Sequence, residues 1–127
     1  MDQRALVLFA HGARAASWAE PFERLRSMVQ ARTPDVHVAL AFLELMEPRL
    51  PELVETLVAD GVAAITVVPV FLGQGGHVLR DLPRIVEQMQ LDHPSVAFSL
   101  AGAVGEDPEV LKAMTDYCVS AARRGHI

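Results

Sequence analysis

Two histidines and a glutamate stand at matching places along a chain of 127 residues. His11 follows the apolar run "ALVLFA" in "FAHGAR", Glu44 follows "VHVALAF" in "AFLELMEP", and His77 follows "AAITVVPV" in "FLGQGGHV". Two imidazoles and a carboxylate suit a borderline divalent metal such as Co²⁺, Fe²⁺, Ni²⁺ or Zn²⁺, and a three-ligand set leaves positions open for a substrate. Gly73, Gly75 and Gly76 crowd the third segment, where they let the backbone bend sharply and leave room for a bulky ligand. Taken singly, each histidine also fits a loop side chain bonded to backbone, and Glu44 fits a solvated carboxylate. The case for a shared site rests on their recurrence at corresponding positions.

Those positions are set by the elements around them. Each apolar run is short, rich in β-branched residues and followed by a segment of helical period. Ser17 to Glu20 has the Ser-x-x-Glu pattern of a capping box and predicts a helix with Phe22, Leu25, Met28 and Val29 on one face. Leu50, Leu53, Val54, Leu57 and Val58 predict a second helix, stopped at Gly61. A third is predicted from near Asp81, with Pro83 in its first turn and Leu82, Ile85, Val86 and Met89 facing inward. After a fourth run, "VAFSLAG", Asp107-Pro108 opens a last helix that reaches about Arg124.

The pattern is therefore β-α four times, with no internal repeat and no linker. Continuous apolar strands joined by helices predict a parallel sheet covered on both faces. The expectation is a single α/β domain over residues 1–127, an open parallel sheet of βαβαβαβα topology. Right-handed crossovers favour the strand order 2-1-3-4. The connection then reverses between the first and third strands, and ligands of such sheets bind at the carboxyl ends of the strands beside the reversal. His11 and His77 flank that point, so the topology lets them converge.

Composition narrows the classes. A formal net charge of −5 argues against nucleic acid as a partner, which needs a basic stripe to release phosphate counterions. The first apolar run is too short for a signal-peptide core or a membrane span, so a cytoplasmic protein without membrane attachment is expected. Cys118 has no cysteine partner for a disulfide or a zinc knuckle, and is expected to be a small buried residue on the last helix. "GQGGHV" before a helix would suit an anion, but it matches neither G-x-G-x-x-G nor G-x-x-x-x-G-K-[ST], so no nucleotide is expected. A hydrolase of the strand-end type would need a nucleophile; Ser17 reads as a helix cap, there is no Gly-x-Ser-x-Gly elbow, and Cys118 is expected on a helix far from the crevice.

With these residues set out, the chain resembles the short sirohydrochlorin chelatases, the CbiX and SirB type of class II tetrapyrrole chelatases. The likeness runs from "LVLFAHGAR" through "AFLELMEPRLPE" and "ITVVPVFLGQGGHVLRDLP" to "VAFSLAGAVGEDPEV". It departs at Ala13, where the family's His-Gly-Ser-Arg motif has serine. The resemblance implies a chelatase-like fold in which His11 and His77 bind the incoming metal and Glu44 assists. It implies a lyase that inserts Co²⁺, Fe²⁺ or Ni²⁺ as a substrate into sirohydrochlorin or a close relative, without nucleotide hydrolysis, for cobalamin or siroheme biosynthesis.

The macrocycle's carboxylates call for local positive charge. Arg14 and Arg80, each three residues past a histidine, are the first candidates, and Arg49 and Arg84 the weaker ones. Gly75 and Gly76 would allow close approach of the ring. Phe42, Leu43, Phe71 and Leu72 either line a slot for it or pack in the core or at a subunit contact, and Trp18 either closes one edge or does the same. His37, His93 and His126 are assigned to no site. One domain gives a single wall for so large a substrate, so a homodimer with facing sites is implied. A module that binds metal or tetrapyrrole without turnover is the alternative that the missing hydroxyl at Ala13 keeps open.

Overall fold

The computed structural model describes residues 3–73 and 76–125, and for residues 76–79 the backbone alone. The chain alternates β1 (Gln3–Ala10), α1 (Glu20–Arg32), β2 (Val36–Phe42), α2 (Leu50–Ala59), β3 (Val62–Pro69), α3 (Gly76–Asp92), β4 (Ala97–Leu100) and α4 (Pro108–Arg124). The strands pair in parallel in the order β2-β1-β3-β4, as the crossover rule predicts.

Alternate residues of each strand divide between two layers. Val7, Phe9, Ile65 and Val67 face α2 and α3, where they bury Leu50, Val54, Leu57, Leu82 and Met89. Leu8, Ala10, Val38, Leu40 and Phe42 face α1, whose Phe22 and Val29 pack on them together with Trp18. Burying each large apolar side chain stabilises the fold by roughly 1.5–3 kcal/mol, so the α2–α3 layer, which holds more of them, dominates. On α1 the apolar stripe is narrower than its sequence suggests, because Met28 is 66% exposed and Leu25 also faces solvent.

Two helix starts differ from expectation. Ser17 caps nothing: it lies within a 3-10 turn, Ala16–Ala19, and α1 begins only at Glu20 with Pro21 in its first turn. That turn brings the Trp18 ring to 4.6 Å from Phe22, and the gain in aromatic contact outweighs a serine cap. α3 starts at Gly76 rather than near Asp81, which leaves Pro83 inside the helix. Pro83 is exposed, so its ring lies on the outer side of the helix.

Both helices that precede an outer strand end in the same stitch. Gln30 Nε2 donates to the Val36 carbonyl at 2.7 Å while its Oε1 accepts from the Val38 N–H at 3.0 Å. Gln90 repeats this with Val96 at 2.6 Å and Phe98 at 3.2 Å. The paired sequences "QARTPDVHV" and "QLDHPSVAF" carry this local correspondence in an otherwise non-repetitive chain.

The passage from β4 to α4 is fixed to the end of β3. Ala101 N–H donates to Val67 at 2.9 Å and Gly105 N–H to Phe71 at 2.9 Å. Gly105 is buried in the 3-10 turn Val104–Glu106, and a Cβ there would overlap the Leu72 backbone. Gly105→Ala is therefore expected to cost about 2 kcal/mol, read as a lowered midpoint in urea with unchanged slope. Asp107 then caps α4 by accepting from Glu109 and Val110 N–H groups at 3.0 and 3.3 Å. α4 itself has no buried residue, and Cys118, expected to be inside, is exposed.

Candidate metal centre

The carboxyl ends of β1, β2 and β3 meet at one rim of the sheet. Beyond the strands the β1 and β2 segments stay zipped: Leu43 N–H donates to Ala10 at 2.9 Å and Glu44 N–H to His11 at 3.1 Å. His11 and Glu44, 33 places apart in sequence, are thus held side by side through their backbones. Gly12 makes the approach possible, since its φ is +90° and a Cβ there would overlap the Glu44 carbonyl oxygen.

The chain between β2 and α2 then doubles back, with Phe42 N–H donating to Pro48 at 2.9 Å and Arg49 forming an isolated bridge with Phe42. Leu45, at the turn, takes a φ of 66°, unusual for a side chain of its size. This compact excursion carries Glu44 on the exposed side of the rim.

His11 is half-buried and lies on Phe71, with ring centroids 4.2 Å apart and planes inclined by 25°. Phe71 itself is buried, 5.8 Å from Phe9. One face of the imidazole is therefore covered by a ring of the core. Sequence reading placed Phe71 in a substrate slot or the core and did not foresee this stack; the signal was an aromatic residue two steps past β3, level in register with the residue one step past β1.

The third candidate comes from α3. His77 is its second residue, so it sits in the first helical turn rather than in a loop. Its side chain lies outside the described residues, as does Gly75, while Gly76 begins the helix. Among the described residues no group of three or more His, Cys, Asp or Glu could hold a metal ion, so the described part of the centre is His11 with Glu44 beside it.

Cationic and apolar surroundings follow. Arg14, Arg49, Arg80 and Arg84 are exposed, and among the described residues none of them forms an ion pair. Next to the rim, a cleft of about 260 Å³ is lined by Phe9, Phe42, Leu43, Arg49, Leu50 and Ile85. A larger shallow groove of about 780 Å³ lies around Gln3, Arg4 and His37, at the opposite pole where the strands begin. Of the other slot candidates, Phe42 is buried, Trp18 packs in the α1 layer, and Leu72 stands 70% exposed. His37 is exposed on β2, and His93 pairs with Glu55 at 3.1 Å between α3 and α2.

Known proteins share this fold. The superposition on a cobalamin (vitamin B12) biosynthesis CbiX protein from Marinobacter aquaeolei gives a TM-score of 0.81 at 33% identity, covering 95% of this chain and 98% of that one. That on the sirohydrochlorin chelatase SirB from Bacillus subtilis subspecies spizizenii, in complex with cobalt, gives 0.74 at 28% identity, covering 90% of this chain and 50% of SirB. In sequence the chain is 36% identical over 89 residues to a sirohydrochlorin cobaltochelatase of Methanocaldococcus jannaschii, covering 70% of this chain and 62% of that relative's length. The CbiX family model matches residues 5–121, which include every strand-end residue described above. With that match spanning nearly the whole fold, the chain belongs to the CbiX family.

Proposed function

We propose that this protein is a chelatase that inserts Co²⁺ or Fe²⁺, with Ni²⁺ as a further substrate, into sirohydrochlorin or a closely related tetrapyrrole, without nucleotide hydrolysis. The observation that carries the reading is a half-buried imidazole, His11, fixed beside Glu44 at the strand ends of a chelatase fold. The names of the relatives, cobaltochelatase and a cobalt-bound SirB, support the same reaction.

Insertion exchanges two pyrrole N–H protons for one divalent ion. His11 offers an imidazole nitrogen, a donor suited to a borderline divalent metal, to the partly desolvated ion. His77, on the first turn of α3, is the second nitrogen donor, and Glu44 completes the set. When the metal passes to the ring, a histidine nitrogen or the Glu44 carboxylate accepts the released protons. Arg14 and Arg80, with Arg49 and Arg84 behind them, meet the macrocycle's carboxylates, and Gly75 and Gly76 let the ring come close to the β3–α3 segment.

The cleft beside the rim falls below the roughly 300–1,000 Å³ of enclosed ligand sites, so the flat substrate lies over an open surface rather than inside one domain. A homodimer in the cytoplasm, its two rims facing one cleft, supplies the second wall. That one copy covers 50% of SirB agrees with two copies doing the work of one longer chain.

Ala13 favours a second reading, binding without turnover, since the hydroxyl of the family motif is missing two residues after His11. Anaerobic mixing with sirohydrochlorin and each metal separates the two. The expected result is insertion at least about 10-fold faster than the spontaneous reaction, followed by absorbance. Tight binding of the tetrapyrrole with no acceleration by any of the metals would establish the binding module instead.

A further inference from the structure

Two of the segments that reach the metal rim carry a leucine that the core does not use. After β2, Leu43 packs in the α2–α3 layer and Met46 in the α1 layer, while Leu45 joins neither and stands 53% exposed. After β3, Phe71 and Val70 divide between the same two layers, while Leu72 joins neither and stands 70% exposed. Leucines exposed singly on a helix face are ordinary. Among the described residues every other exposed large apolar side chain lies on α1, α3 or α4, whereas these two lie on the connectors that flank His11.

Both are held from behind by a glycine of a neighbouring segment. The Glu44 carbonyl, which leads into Leu45, lies where a Cβ on Gly12 would overlap it, and the Leu72 carbonyl meets Gly105 in the same way. Each backbone is therefore fixed while the side chain it carries stays outside the core.

Leu45 is also held at a cost. Its φ of 66° lies in the left-handed region, which glycine or asparagine enters readily and a bulky side chain does not. The turn there, closed by the Phe42 N–H on Pro48, needs only that backbone conformation. A leucine adds nothing to the turn and packs in neither layer, so its side chain is placed for something outside the chain. Strain kept at a ligand rim is the mark of such a residue.

The order across the rim gives that something a shape. With β1 between β2 and β3, the two leucine segments stand two strand spacings, about 10 Å, apart, and His11 lies between them. A tetrapyrrole is apolar on its faces and carries its carboxylates at the edge. Two apolar posts on either side of a nitrogen donor support the face of such a ring and leave its centre over the imidazole.

We propose that Leu45 and Leu72 are the seat of the macrocycle: its apolar face rests on both side chains, which hold the pyrrole nitrogens over His11. The identity of the ring rests on the insertion reading above. Sirohydrochlorin binding is therefore measured without metal, so that a protein that binds the ring but inserts nothing would sink that reading while the seat is still judged by itself.

Leu45→Gly is expected to weaken binding about 10-fold, the worth of one buried leucine side chain. Its thermal midpoint should stay level with wild type or rise by up to about 4 °C, because glycine relieves the left-handed φ. Leu45→Asn, which also suits that φ, should lose the same affinity, and Leu45→Met should recover most of it. Leu72→Ser is expected to weaken binding about 5-fold with an unchanged midpoint. These losses should be equal at low and high salt, since screening leaves an apolar contact alone, and Co²⁺ affinity without the ring should not move. Wild-type affinity in Leu45→Gly and Leu45→Asn would overturn the proposal. So would a Leu45→Gly midpoint lowered by more than about 5 °C, which would make the side chain part of the fold. A wild-type protein that does not bind sirohydrochlorin at all overturns the seat and the insertion reading together.

Discussion

His11→Phe is expected to lower the rate of metal insertion into sirohydrochlorin by at least about 100-fold while leaving the fold intact. The substitution keeps an aromatic ring on Phe71, where the imidazole now lies at 4.2 Å, and removes only the ring nitrogens. Its thermal midpoint should stay within about 5 °C of wild type. His11→Ala should lose the same activity and, because the stack goes too, about 1 kcal/mol of stability. If His11→Phe retained the wild-type rate, the imidazole nitrogen would have no part in insertion and the proposed centre would be wrong. Apparent affinity for Co²⁺, followed by calorimetry without tetrapyrrole, gives an independent reading and should fall in both variants.

Gly12→Ala should be the most damaging single methyl at the rim. Its φ of +90° disfavours any side chain, and the added Cβ would meet the Glu44 carbonyl, a backbone group that cannot rotate away. Relief requires the β1 and β2 segments to part, breaking the 3.1 Å bond from Glu44 N–H to His11. The expected cost is about 3 kcal/mol, or a midpoint lowered by roughly 10 °C, together with a loss of insertion comparable to that of His11→Phe. Ala13→Ser is the contrasting change next door, with no more than a small effect on stability. A Gly12→Ala protein as stable and as active as wild type would show that the two segments need not be zipped.

The strand order was legible because four uninterrupted apolar runs admit only buried parallel strands, and the handedness of crossovers leaves few ways to arrange them. His11 and Glu44 were legible as neighbours for the same reason: each is placed just beyond a strand that pairs with the other's. What the sequence hid came from contacts between segments. Nothing local distinguishes Ser17 as a turn residue from Ser17 as a cap; the packing of Trp18 on Phe22 decides it. Pro83 reads as a first-turn proline, but because it faces solvent the helix tolerates it seven places in, which moves His77 from a loop onto a helix. The exposure of Cys118 escaped notice because periodicity reports which side of a helix is apolar, and never whether anything lies against it.

The support beneath His11 bears on how the metal would change hands. An imidazole lying flat on a ring that is itself embedded, as Phe71 is at 3% exposure, has little liberty to swing. Under the proposed chemistry the donor is then a stationary perch, and the macrocycle does the travelling, bending down to collect the ion. Turnover would accordingly be governed by how readily the macrocycle bends out of plane over the rim, and a stiffer, more planar tetrapyrrole should be metallated more slowly at equal affinity.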